Sequence, residues 1–268
     1  RDRNQRLITC DISGYGESAE VADKKAYDLL VQAESGLIGI SGSPNELGRI
    51  GVSMVDAGTG MTAYYGVLEA IIQRGVTGKG SGVRVSLFDV AADWMTVPLA
   101  QHDFGAGGPT RVGLKHPTIA PYGAFETSDG SLTLISIQNE REWVRLCKQV
   151  LLDTAIAIDS RFNSNTNRVA NRDALESRMN SIIGALSRTE FQNRLTEASI
   201  AYGNVSSLAD LSTHPALRRR TVHTSTGHTV ELPAHPVRWT ELPGMAERQS
   251  GRVPTIGQHT AAIRSEFG

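Results

Sequence analysis

Cysteine is scarce in this sequence: two in 268 residues, Cys10 and Cys147, far apart and outside any C-x-x-C pair. That excludes a disulfide framework and a cysteine zinc site, and it fits a reducing compartment such as the cytoplasm. A surplus of charge is also missing. The 27 Lys and Arg balance 28 Asp and Glu, for a net charge of −1, so no electrostatic footprint for nucleic acid or an anionic membrane is present. The short run Arg218-Arg219-Arg220 reads as a solvated loop. No apolar run reaches the ~20 residues of a membrane span. The first residues, Arg1-Asp2-Arg3-Asn4-Gln5-Arg6, are charged, with no export signal behind them and no initiator Met. The chain is therefore expected to begin partway through a longer protein. What remains is 40% hydrophobic and 21% charged, an ordinary globular composition with material for a sizeable core.

Local patterns divide the chain into strands and helices. Leu7–Ser13 reads as a short buried strand ending at Gly14-Tyr15-Gly16. A helix is expected over 27–38 and a loop over 41–51, which holds Gly42, Pro44 and Gly48. Met61, Tyr64, Tyr65, Leu68, Ile71 and Ile72 share one face of a helix, with Arg74-Gly75 as its expected end. Residues 83–87 alternate like a strand, and a helix follows to about Leu99. Gly105-Ala106-Gly107-Gly108-Pro109 marks a linker. Beyond it, 122–127 and 132–137 flank Ser128-Asp129-Gly130-Ser131 as a hairpin. Helices are expected from 140 to about 201, and short strands over 222–237.

Four motifs touch on chemistry. Gly14-Tyr15-Gly16-Glu17-Ser18-Ala19 fits G-x-G-x-x-A after a strand, the basis for a nicotinamide oxidoreductase reading, but a polar stretch replaces the helix such a site opens. An ordinary glycine turn fits better. Gly78-Lys79-Gly80-Ser81-Gly82 fails the phosphate-loop spacing and joins helix to strand, so it reads as a connection. His116 reads as a structural loop residue. Asp56, in Val55-Asp56-Ala57-Gly58-Thr59-Gly60-Met61, opens the clearest helix. Two readings fit it: an N-cap, or an exposed carboxylate held ionised by the helix end, with glycines leaving room for a substrate.

Five segments, in order, carry a resemblance. They are residues 26–37 (Ala-Tyr-Asp-Leu-Leu-Val-Gln-Ala-Glu-Ser-Gly-Leu), the Asp56 segment 55–61, the loop 74–80, the opening of the hairpin at Tyr122-Gly123-Ala124-Phe125 with Asp129-Gly130, and the ending 254–260. Together they are similar to class III CoA-transferases, also called the carnitine dehydratase and bile-acid-inducible protein family.

That resemblance implies an α/β fold: a Rossmann-like large domain, a smaller α+β domain and an interlocked homodimer. The large domain would be 1–104, the linker 105–111, the small domain 112–200, and 201–268 a linker and C-terminal return. Relatives carry a further N-terminal segment that supplies much of the CoA pocket. Asp56 would be the nucleophile, with Tyr27, Asp28, Gly58, Gly60 and Arg49 lining the substrate or CoA site, and backbone N–H groups near Gly58 and Gly60 stabilising oxyanions. Coenzyme A thioester would be a substrate, with no tightly bound cofactor and no metal; the partners are an acyl-CoA donor and a carboxylic acid acceptor. Gln138-Asn139-Glu140-Arg141-Glu142-Trp143 resembles members acting on short dicarboxylates. An α-methylacyl-CoA racemase-type isomerase is the alternative, disfavoured because Tyr27 replaces the histidine it needs, and a phenol is too weak an acid to shuttle protons at neutral pH. A catalytically incomplete fragment is the other.

Overall fold

The computed structural model describes residues 3–105, 107–238, 240 and 252–267. The chain divides into two compact units, 1–204 and 205–268. The first is a mixed α/β arrangement. Strand β1 (Thr9–Ser13) pairs in parallel with β4 (Gly82–Ser86), with Ile12 opposite Val85. A parallel pair needs a crossover, and the segment between holds α1 (Asp28–Glu34), α2 (Leu37–Ile40), a small hairpin of β2 (Gly42–Ser43) and β3 (Glu46–Leu47), and the long helix α3 (Met54–Thr77). The helix expected over 27–38 is broken because Gly36 adopts φ +86°, open to glycine at little cost.

Helix α3 runs past Gly75 and ends at Gly78, whose φ of +74° and N–H bond to Arg74 O form the C-cap. Its packing face is one of small residues. Val55, Gly58, Thr59, Ala63 and Ala70 are buried, and a Cβ on Gly66 would lie 2.9 Å from Val83 Cγ1. The apolar stripe read from the sequence is present but faces outward: Met61 is 70% and Ile72 67% exposed. After β4 come α4 (Leu87–Trp94), capped by Ser86 Oγ on Asp89 N, and α5 (Thr96–Phe104). The single helix expected here is interrupted at Met95, because Pro98 cannot donate to the carbonyl of Trp94.

A second part of this unit has its own sheet, ordered β5 (Tyr122–Glu126), β6 (Leu132–Ser136), β7 (Tyr202–Asn204), all antiparallel. Helices α6 (Glu140–Arg145), α7 (Thr154–Ile158), α8 (Asn165–Ala170), α9 (Arg172–Ile183) and α10 (Arg188–Glu197) lie between β6 and β7, with a π-helical turn at Leu146–Val150. Trp143, Phe162, Phe191, Leu146 and Met179 belong to one buried apolar core. Burial among them pushes the Cys147 thiol up to about 12. Arg168 is fully buried there, 4.8 Å over the Trp143 ring and bidentate to Glu140 at 2.8 and 2.9 Å.

The second unit holds α11 (Leu208–Thr213), capped by a reciprocal Ser207–Asp210 box, a hairpin of β8 (Arg219–His223) and β9 (Thr229–Pro233), and α12 (Thr260–Phe267). In it Arg218 and Arg219 donate to the carbonyls of His235 and Ser212. Arg219 and Arg220, expected in a loop, open β8, where pairing with Pro233 and Leu232 extends the backbone. The strand stretch expected over 222–237 supplies the end of β8 and all of β9.

Candidate functional site

Asp56 lies in the first turn of α3 and is exposed, while its neighbour Val55 is fully buried with Val31 and Ala91. Val55 therefore anchors the helix start and leaves the Asp56 side chain in the open. The first four N–H groups of a helix have no helical partner. Here three of them have other partners. Met54 N donates to Val52 O at 2.7 Å, while Ala57 N makes the first regular helical bond, to Ser53 O at 3.1 Å. Val55 N and Asp56 N donate to Asp28 Oδ1 at 2.7 and 3.2 Å. Ser53, at the N-cap position, makes no side-chain cap bond.

Asp28 is 8% exposed. Its other oxygen accepts from Gln32 Nε2 at 2.7 Å, and Gln32 Oε1 accepts from Ile50 N at 3.1 Å. Helix α1 is thereby tied to both the entry and the start of α3. Gly58 and Gly60 lie inside α3, where an N–H turns back to the carbonyl four residues earlier. The expected oxyanion role for N–H groups near Gly58 and Gly60 does not fit that geometry. Gly58 instead meets Trp94, while Gly60 has open space beside it and is exposed one turn beyond Asp56.

Tyr27, next to Asp28, is 71% exposed. Arg49 is exposed, seven residues before Asp56, and its guanidinium bonds to its neighbour's carbonyl, Ile50 O, at 3.4 Å. It has no ion pair among the described residues. The approach to this region is braced by Arg111, which donates to Gly39 O, Ser43 O and Pro44 O at 3.1–3.2 Å. Sequence reasoning gives Arg111 no role, since an arginine in a glycine-rich linker carries no pattern. Nearby, Lys24 bonds Glu34 and sits 4.6 Å over the Tyr15 ring. The Lys24 ammonium holds Glu34 below the usual carboxylate range, and burial, then the Glu34 charge, pushes the Tyr15 phenol up.

The competing motifs resolve as structure. A Cβ on Gly14 would lie 2.3 Å from Ala26 Cβ, so its backbone faces protein, and no helix follows Gly16 directly. Gly80 lies beneath Leu7 O and donates to Gln5 O at 2.8 Å. His116 stacks on Tyr122, and its Nδ1 accepts from Thr118 N. In the Gln138–Trp143 segment, Asn139 caps α6, Glu142 accepts from Gln138 N, and Glu140 binds Arg168. Among the described residues no group of three His, Cys, Asp or Glu is placed to hold a metal, and no helix is long and apolar enough to cross a membrane.

The chain is 29% identical over 266 residues to an acetyl-CoA:oxalate CoA-transferase of Acetobacter aceti, covering 98% of this chain and 67% of that protein. It is 30% identical to a succinyl-CoA:glutarate CoA-transferase of Mus musculus, covering 97% of this chain and 60% of that one. Against these relatives it spans about three fifths to two thirds of their length. The crystal structure of a CaiB/BaiF family protein from Brucella suis superposes with a TM-score of 0.80 at 28% identity, over 99% of this chain and 69% of that one. Residues 1–260 match CoA-transferase family III, and the chain belongs to that family.

Proposed function

We propose that the protein transfers coenzyme A between carboxylic acids, with Asp56 as the nucleophile. The observation that carries this reading is the exposed Asp56 carboxylate on a helix start whose Val55 and Asp56 N–H groups are already held by Asp28, so the Asp56 carboxylate itself is not needed as a cap. Asp56 attacks the donor thioester carbonyl, the C–S bond breaks, and a mixed anhydride and CoA thiolate form. The thiolate attacks the aspartyl carbonyl and releases the donor acid, leaving an aspartyl-CoA thioester. The acceptor carboxylate attacks that carbonyl and expels the thiolate, which then takes the acceptor acyl group and frees Asp56. No net proton is consumed, and one hard exchange is divided into easier steps.

The names of the relatives, together with Arg49 as a cation near Asp56 in sequence that has no ion pair among the described residues, support short dicarboxylates as substrates. Tyr27 and Gly60 line the site, Gly60 through the space beside it, while Asp28 and Gly58 support it from behind, against the α3 backbone and Trp94. In the same reading residues 1–104 belong to a Rossmann-like large domain, 105–111 to a linker, 112–200 to a small domain, and 201–268 to a linker and C-terminal return. The parallel β1–β4 pair and the separate apolar core of residues 120–200 support that division. The outward apolar stripe of α3 supports a homodimer, and the scarcity of cysteine supports a cytoplasmic location. A CoA-exchange assay with succinyl-CoA against oxalate and glutarate tests the reaction. Transfer to neither acid, nor to a wider panel of carboxylic acids, overturns it.

A further inference from the structure

We infer that Asp28 is a positioning residue for the nucleophile, a role that rests on the proposed transfer reaction. Asp28 does from a distance what a helix normally does locally. Ser53 and Asp56 are both residue types that cap helices, yet Ser53 makes no cap bond and the Asp56 side chain is exposed. The two inner N–H groups of the first turn go instead to one carboxylate oxygen 27 and 28 residues earlier in the chain. One of them is the N–H of Asp56 itself, so the backbone that carries the nucleophile is fixed by a charge-assisted bond.

The support continues behind Asp28. Gln32 is fully buried, gives its amide N–H to Asp28 Oδ2 and accepts from Ile50 N. Ile50, Val55 and Asp56 are thereby linked through two side chains of one helix turn. A hydrogen-bonded pair sealed from water keeps its geometry, because breaking it strands buried polar atoms. Two things follow for chemistry. The Asp56 carboxylate is released from capping and stays free to react. The helix N–H groups nearest Asp56 are occupied, so the anionic oxygen of an attacked thioester is stabilised by other donors. Asp28 touches neither the reacting atoms nor the substrate in this account; it acts through the Asp56 backbone.

The test compares wild type, Asp28→Ala and the double variant Asp28→Asn with Gln32→Glu. The double variant keeps each bond and reverses one donor. The new amide at position 28 accepts from Val55 N and Asp56 N and donates to the new carboxylate at position 32, which still accepts from Ile50 N. Steady-state CoA transfer and hydroxylamine trapping of Asp56 are read on protein shown to be folded by its cooperative melt. Asp28→Ala is expected to lower kcat about tenfold or more, with KM within roughly twofold, and to lower trapping in step. The double variant is expected to return kcat to within about threefold of wild type. Should Asp28→Ala fail to fold, single Asp28→Asn takes its place, and the double variant must exceed it. An unchanged kcat in folded Asp28→Ala, or a double variant no better than the single one, overturns the inference. Absence of transfer in the wild type overturns the reaction instead.

Discussion

The indole of Trp94 lies against Gly58, two residues beyond Asp56: a Cβ built on Gly58 would sit 2.3 Å from Trp94 Cζ2. Gly58 is therefore a close contact between α3 and α4. Gly58→Ala is expected to destabilise the protein by roughly 1–3 kcal/mol, because the rigid ring must move. Gly60, two residues on, has nothing within 4 Å of its would-be Cβ. Gly60→Ala is expected to stabilise by about 0.5–1 kcal/mol, since alanine is the better helix former. Thermal melts of the two variants should shift in opposite directions; a shared direction contradicts the packing described.

Arg168 is expected to be the most sensitive charged position outside the site. It satisfies Ala120 O and Phe162 O, pairs with Glu140 and covers Trp143. Arg168→Ala strands those carbonyls and opens a hole, with an expected cost of roughly 3–5 kcal/mol in urea unfolding. Glu140, whose side chain is 53% exposed, should cost less, about 1–2 kcal/mol, as Glu140→Gln, because the amide oxygen keeps one of the two guanidinium bonds and loses the other. Equal costs would show that Arg168 acts only as Glu140's partner.

Acid should expose the turn at Asp129. The Thr127 hydroxyl, then the Arg188 N–H, hold its carboxyl at about 2, below its ordinary 3.8. A depressed folded value contributes stability that is present above the unfolded value and lost as pH falls through the folded one. Wild type should therefore be more stable than Asp129→Asn at neutral pH, and the gap should close between about pH 4 and pH 2. Asp159, held at about 2 by Arg161, titrates in the same window but is common to both proteins. A gap independent of pH contradicts this.

The hairpin of β5 and β6 is legible in the sequence because Asp129-Gly130 and alternating residues fix it locally, and Gly130 takes φ +75°. The start of α3 near Asp56 is legible for the same kind of reason. Its packing face is not. Hydrophobic periodicity picks out Met61, Tyr64, Leu68 and Ile72, whereas close approach to β4 and α4 selects Gly58, Ala63, Gly66 and Ala70, which carry little hydrophobic weight. Asp28 is invisible as a cap because it lies far from α3 in sequence, and capping rules look only at neighbours. The end of α3 cannot be placed from pattern alone, since Gly75 and Gly78 both fit it, and only the tertiary path to β4 selects Gly78.

The catalytic assignment itself makes a direct expectation of activity. Asp56→Ala should abolish CoA transfer while leaving the melt nearly unchanged, because the cap belongs to Asp28 and the Asp56 side chain is exposed. Near wild-type transfer by the folded variant would remove Asp56 from the mechanism.

The central claim is covalent chemistry at one carboxylate, and mass spectrometry of the Asp56 peptide reads it most directly. Hydroxylamine attacks both anhydrides and thioesters, so incubation with acyl-CoA should convert Asp56, and no other carboxylate, to its hydroxamate. The conversion should depend on the acyl-CoA. An unmodified Asp56 in a sample that is exchanging CoA between acids, or one that exchanges only the substrate α-proton for deuterium, would contradict the account.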